Sequence, residues 1–354
     1  MALRAALADA RRGAIPATRW RPHARRGLAG FARVREAQVQ ALVDGVRGFA
    51  GGDPGAAATV ANVLADARAG EAGCVIDLDA EAIGQELQKI GVDGGYEMQK
   101  LTSAALVDRH GAPWRSIGYK IGATAKPVQE KMGLREPFVA EVYAHNALMM
   151  SDALEGPLNT VDLPPVHTRG VEAEWGFVLK KDLPVREEPY SRDEISAAIK
   201  HVVPTIEVLG TRFAKPPGVS LFLADGGGNG LVVIGPRNTW RKPEDWECKD
   251  AGEIAVTTWI DNEIVASGSG RNVLGHPLEA LSWLVNRQQR RNLVKGDFVT
   301  SGAANGLCPV DNDRLPSAVR VEFQGWARMD ITLPAPDASL SDPSAASFVH
   351  FVPR

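Results

Sequence analysis

The chain has 354 residues, 44% of them apolar and 23% charged, the profile of a soluble globular protein with room for one large domain or two ordinary ones. A formal net charge of −3 gives no electrostatic case for nucleic acid or an anionic membrane. No apolar run approaches the ~20 residues of a membrane span, and the widely spaced Cys74, Cys248 and Cys308 form neither a metal knuckle nor a redox pair and suit a reducing compartment.

In chain order, residues 1–36 carry nine arginines, no lysine, and only Asp9 and Glu36 as acids, with Pro16 and Pro22 interrupting any helix. Such a start fits a disordered leader, an upstream start in a GC-rich gene or a mitochondrial transit peptide on an otherwise cytoplasmic protein. Residues 37–110 form a helical N-terminal region: FARVREAQVQALVDGVRGFA, ATVANVLADARA, AEAIGQELQKI and YEMQKLTSAALVDRHG have helix-forming composition with spaced apolar residues. Glycines 51–52 and 94–95 are expected to separate them.

From 111 to 333 the texture changes to short strands and turns. GYKIGAT, EWGFVLK, TIEVLGT, GLVVIG, EIAVTTWIDNEIVASG, DFVTSG and AVRVEFQGWARMDITL read as strands. Asp261-Asn262 is expected to make a hairpin turn within EIAVTTWIDNEIVASG. Two helices interrupt the strands. The first is capped by Ser191 with Glu194 and is expected to end at Pro204; the second starts at Pro277 and runs through LEALSWLVNRQQRR. Residues 334–354 read as a flexible tail. Many strands and few helices point to an α+β fold, a mixed β-roll or distorted barrel.

Glu172 and Glu174 lie two apart in a strand and project to the same side, with Gly176 leaving room beside them, while Val171, Ala173, Trp175, Phe177 and Leu179 make the opposite apolar face. Two readings fit: a solvated sheet face, or carboxylates gathered on a divalent cation. Glu207, a lone acid in the apolar VVPTIEVLG, is costly to bury without a partner and strengthens the second. Oxygen ligands without His or Cys suit magnesium, manganese or calcium better than zinc.

Lys120 is flanked by Gly118 and Gly122, which would let a ligand or backbone approach it; it reads either as a solvated strand lysine or as a group for a substrate carboxylate. The loop Leu223–Gly230 contains Asp225 and Asn229 and matches no phosphate-binding fingerprint, leaving an open turn beside a pocket or a plain hairpin loop. The backbone amides of Ser301 and Gly302 would hold a substrate oxygen or simply form a turn. His276 reads as a loop histidine bonding backbone at a helix start or as a catalytic group. No serine sits in a nucleophile elbow.

Taken in order, GYKIGAT, VEAEWGFVLKKDLP, VVPTIEVLG, ADGGGNG, SGSGRNVLGHPLEALSWL and GDFVTSG resemble the fumarylacetoacetate hydrolase superfamily, in its 2-keto-4-pentenoate hydratase and 4-oxalocrotonate decarboxylase branch, over about residues 75 to 333. The resemblance implies Mg2+ or Mn2+ held by Glu172, Glu174 and Glu207, catalytic roles for Lys120 and for Asp225, the pocket-loop aspartate, a β-roll domain, and a dimer or larger homo-oligomer acting on a small 2-oxo acid. Gly122, Asn229, Ser301 and Gly302 are then the candidate substrate contacts. It implies hydration of a 2-hydroxy-2,4-dienoate, with decarboxylation of a 2-oxo-3-enedioate, acylpyruvate hydrolysis and a non-catalytic partner role as alternatives. One position departs: where the family often has Pro-Asp-Phe-Gly, its aspartate serving in proton transfer, this chain has Phe138 between Glu136 and Glu141.

Overall fold

The computed structural model describes residues 34–70, 75–151, 160–162, 167–245, 251–287, 292–335 and 348–351. Nearly all of the Arg-rich start, Cys74, Cys248, most of the tail and positions 288–291 of the second expected helix lie outside the described residues.

Three helices come first: α1 (Glu36–Ala50), α2 (Pro54–Ala69) and α3 (Gly84–His110). Asp53 caps α2, its carboxylate accepting from Gly55 N at 2.9 Å with Pro54 in the first position. α3 runs through Gly94 and Gly95 instead of breaking there; its helical geometry fails at Gly91, at φ 61°. The physical reason is packing. A Cβ on Gly95 would stand 2.8 Å from Ser220 O, and one on Gly94 3.1 Å from the Phe49 ring. The pair is a contact surface rather than a hinge.

β1 (Ser116–Gly122), α4 (Lys126–Met132), β2 (Phe138–Tyr143), β3 (Ala147–Met150) and β4 (Thr160–Asp162) follow. Next come β5 (Thr168–Leu179), α5 (Arg192–Ala198), β6 (Ile199–Gly210), α6 (Val219–Ala224) and β7 (Asn229–Ile234). The chain continues with β8 (Ala255–Ile260), β9 (Glu263–Ser269), α7 (Pro277–Asn286), β10 (Phe298–Thr300), β11 (Cys308–Pro309), β12 (Ser317–Phe323), β13 (Ala327–Leu333) and β14 (Phe348–His350).

These strands form a larger mixed sheet, in the order β14-β3-β7-β6-β5-β10-β1-β2 with β11 also on β5, and a smaller one, β4-β13-β12-β8-β9. The expected α+β class with a helical N-terminal region holds. The larger sheet curls, so that Asn229 Nδ2 at the start of β7 donates to Glu141 O on β2 at 2.6 Å. Among the described residues no helix is long and apolar enough to cross a membrane.

The capping box at Ser191 and Glu194 forms with both bonds present, but α5 ends at Ala198, not at Pro204. The β-branched residues Ile199, Val202 and Val203 suit a pleated surface better than a helix, and Pro204 stands inside β6 opposite Trp175. Asp261 and Asn262 both take positive φ, 51° and 69°, the backbone of a tight two-residue hairpin turn. On β5, Val171, Ala173, Trp175, Phe177 and Leu179 are buried in one cluster with Leu281, Leu284, Val321 and Phe323, the Trp175 and Phe323 rings meeting edge to face at 5.4 Å. That dry face fixes the register of β5 and hence sends its glutamates to the other side.

Replacing Gly95 by alanine forces a methyl into the backbone of α6. We expect a loss of about 1–3 kcal/mol in denaturant melts, with Gly91→Ala acting through its positive φ and not through this contact.

Candidate metal centre

Glu172 and Glu174 project from one side of β5, and Glu207 on β6 stands directly across from Glu172. One carboxylate oxygen from each lies within 4.8 Å of the others. Glu174 and Glu207 are fully buried and Glu172 is part-buried. Like charges opposed across an antiparallel pair repel, so the arrangement needs positive charge.

Lys120 supplies part of it. β1 lies between β10 and β2, with Lys120 beside Thr300 and Ala140, and its side chain is buried. Nζ lies 2.7 Å from Glu207 Oε1 and donates to Gly227 O at 3.0 Å. Burial acts to lower the ammonium's pKa, but the charges of Glu207, then Glu172 and Glu174, outweigh it and the net shift is upward. The solvated-lysine reading does not hold.

Three carboxylates against one ammonium leave two negative charges. Burial first, and then the Glu207 charge, push the Glu172 carboxyl up to about 7 against the opposing pull of Lys120. Glu174 is raised well above the usual range by burial and then by Glu207 and Glu172. Glu174 Oε2 accepts from Gly302 N at 3.1 Å, whereas Glu174 Oε1 and Glu207 Oε2 are buried with no hydrogen-bond partner. Buried oxygens of this kind are rare without a ligand to satisfy them. The donor set, the surplus negative charge and the orphaned oxygens together fit a hard divalent cation.

Several expectations change at the surrounding positions. Gly176 leaves no room beside the pair: a Cβ there would meet the Phe298 ring at 2.6 Å and Val203 at 2.7 Å. Gly122 does allow a close approach, but by the Phe138 ring, 2.2 Å from where its Cβ would be; a Cβ on Gly227 would stand 2.3 Å from the same ring. Phe138 is buried, with Lys120 Nζ 5.5 Å from its centroid.

Ser301 and Gly302 do not present free amides to a substrate. Ser301 N donates to Trp175 O at 2.9 Å, and its hydroxyl accepts from Trp175 N. Gly302 N, as noted, holds Glu174. Both positions shape β5 and orient a carboxylate.

Asp225, expected to be catalytic, has both oxygens engaged by Arg212 Nε at 2.8 and 2.9 Å, with Arg68 Nη2 3.5 Å from Oδ1. A proton-transfer part would require breaking that pair. The backbone of Asn229 accepts from Arg68 Nη1 and Arg212 Nη1 at 2.8 and 3.0 Å, its side chain bridges to β2, and its Oδ1 is buried without a partner. Burial, then the neighbouring Arg212 charge, pull the Arg68 guanidinium down to about 10, with Asp225 opposing. Neither arginine carries a sequence signal: Arg68 is one cation on a helix of ordinary composition.

Neither acid flanking Phe138 takes over. Glu136 is bound by Arg287 Nε and Nη2 at 2.9 and 2.6 Å and by Trp283 Nε1 at 3.1 Å. Glu141 pairs in register with Tyr119, on the other side of β2 from the residue facing Lys120. His276 caps α7, its Nδ1 accepting from Leu278 N at 3.1 Å, the helix-start reading. His145 stacks on Trp114 at 4.4 Å.

A carboxyl whose folded pKa is raised binds its proton more tightly in the folded state. Stability of the metal-free protein therefore falls as pH rises from about 4.5 to about 7. For Glu172 alone the loss is on the order of 3 kcal/mol. Melts of chelator-treated protein across that window should show it, and saturating Mg2+ should remove it; a flat profile would contradict the burial of these charges.

The comparisons with known proteins agree with this architecture. The family model described as fumarylacetoacetate (FAA) hydrolase, C-terminal, matches residues 123–333. A 2-keto-4-pentenoate hydratase of Paraburkholderia xenovorans is 30% identical over 225 residues, covering 62% of this chain and 77% of the relative. The TodF product hydratase of Pseudomonas putida is 33% identical over 223 residues, covering 62% and 76%. Among solved structures, 4-oxalocrotonate decarboxylase from Pseudomonas putida G7, complexed with magnesium and adipate, aligns with a TM-score of 0.61 at 20% identity over 85% of this chain and 98% of that one, a likeness of fold. The chain belongs to the fumarylacetoacetate hydrolase family.

Proposed function

We propose that the protein is a hydro-lyase that adds water to a 2-hydroxy-2,4-dienoate of the 2-keto-4-pentenoate type and forms a 4-hydroxy-2-oxo acid. The observation that carries this reading is the buried carboxylate cluster with Lys120 inside a chain whose relatives are named hydratases over more than three quarters of their length. A 2-hydroxyhexa-2,4-dienoate hydratase of Comamonas testosteroni, 29% identical over 198 residues, points to the same substrate class.

Glu172, Glu174 and Glu207 would hold Mg2+ or Mn2+. When bound, the cation supplies Lewis-acid polarisation of a chelating 2-oxo acid. The remaining work belongs to the chain. A lysine ammonium has three donors; Glu207 Oε1 and Gly227 O take two directions and leave one for a substrate carboxylate or enolate oxygen. Gly302 N keeps Glu174 aimed into the cluster. Phe138 walls the lysine with an apolar ring and offers no proton. Protonation of the dienol's terminal carbon, with loss of the 2-hydroxyl proton to water, gives the conjugated enone, and water then delivers hydroxyl to the distal alkene carbon and a proton to its neighbour. With Phe138 silent, Asp225 paired and Glu136 tied to Arg287, we assign both protons to water admitted to the site.

The ring at Phe138 also favours a second reading, decarboxylation of a 2-oxo-3-enedioate, which releases carbon dioxide and activates no water. We take the protein to be a homo-oligomer. The relatives named above are bacterial, which supports a cytoplasmic enzyme and lends nothing to a mitochondrial one.

Purified protein with Mg2+ should convert 2-hydroxypenta-2,4-dienoate to 4-hydroxy-2-oxopentanoate. Chelation should abolish the rate, and Glu174→Gln should lower kcat/KM by at least about a hundredfold. Carbon dioxide release from the enedioate without hydration would favour the decarboxylase. No turnover of any 2-oxo-enoate, with metal still bound, would leave a non-catalytic partner.

A further inference from the structure

The loop between α6 and β7 has three successive glycines, Gly226, Gly227 and Gly228, all at positive φ of 76°, 61° and 77°. Such a segment has no side chains to hold it and a large conformational entropy to lose. Yet the carbonyl at its centre, Gly227 O, accepts from Lys120 Nζ, so the place of the ammonium depends on where this loop stands.

The loop is fastened from outside at both ends. Arg68 reaches in from α2, in the helical region that precedes the part matched by the family model, and its side chain is 1% exposed. Its Nη1 donates to Asn229 O at 2.8 Å and its Nη2 to Asp225 O, while Arg212 makes the parallel pair of bonds at 3.0 Å each. Gly226 lies close against the guanidinium: a Cβ there would stand 2.8 Å from Arg68 Nη2. The planar guanidinium sets two N–H groups of one side chain at fixed spacing on the two carbonyls.

We propose that Arg68 is a positioning residue for Lys120: by bracing the carbonyls of Asp225 and Asn229, it holds Gly227 O where it shares the ammonium with Glu207. The inference rests on the cation reading of Glu172, Glu174 and Glu207. With the Arg68 half of the brace lost and only Arg212 left on the two carbonyls, the loop relaxes, Lys120 falls wholly to Glu207, and the ammonium then competes with a cation for that carboxylate. The N-terminal helices thereby tune the metal site they do not touch.

The test is a double-mutant cycle read by Mn2+ binding to the full chain, followed by calorimetry or by the electron paramagnetic resonance of free Mn2+. With Lys120 present, Arg68→Gln should weaken Mn2+ by about tenfold; in a Lys120→Met background the same change should cost no more than about twofold. Equal losses in both backgrounds would show ordinary structural damage and overturn the proposal, as would no loss with Lys120 present. Should Arg68→Gln not fold, Arg68→Lys, which keeps the charge but replaces the rigid two-nitrogen fork with a single nitrogen, carries the same cycle. A wild type that does not bind Mn2+ would instead overturn the cation reading, and this inference with it.

Discussion

Three carboxylates from adjoining strands are packed into one volume with a single ammonium, and the rest of the molecule is arranged to hold them there. Their mutual repulsion and their burial both oppose folding, as the upward shifts of Glu172 and Glu174 record. What holds them is the other face of the same strands. Trp175 and Phe177 are fully buried on β5, as are Ile206 and Val208 on β6, and apolar burial of this size is worth roughly 1.5–3 kcal/mol per side chain. The cluster is a local cost offset by a dry core one pleat away. In the proposed reading a divalent cation completes the charge balance that Lys120 begins.

The surroundings of the cluster are set by glycines with specific neighbours. Gly122 and Gly227 admit the Phe138 ring, and Gly302 brings its N–H onto Glu174 while leaving no space for a Cβ against Thr124. The Ser301 hydroxyl and amide are spent on the backbone of Trp175. These positions act on the site through the groups that they orient. Arg68 on α2 and Arg212 just after β6 extend the same logic one layer further, to the glycine loop and from the loop to Lys120.

Much of this was legible in the sequence because strand alternation is a strong rule. Two glutamates at i and i+2 opposite an apolar series admit one orientation once Trp175 is inside, and Glu207 had to find a partner. The hairpin at Asp261-Asn262 and the capping box at Ser191 were equally local. What escaped depends on tertiary contact. Gly94 and Gly95 read as breakers, yet they serve as a packing surface for Ser220. Pro204 read as a helix stop, but the β-branched residues before it had already turned the chain into β6. Asp225 reads as available from its loop alone, yet Arg212, thirteen residues earlier, and Arg68, from the N-terminal helices, hold it, and Arg68 has no local signature. Phe138 is the instructive position: its departure from the family pattern is visible in the sequence, while the ring's fit against two glycines is not.

The most direct measurement is an anomalous difference map from a crystal soaked in Mn2+. The account predicts one peak per chain among the carboxylates of Glu172, Glu174 and Glu207, with oxygen distances of a hard-cation site and Lys120 still bonded to Gly227 O. A map with no peak there, and the three carboxylates protonated or bridged by water alone, would contradict it.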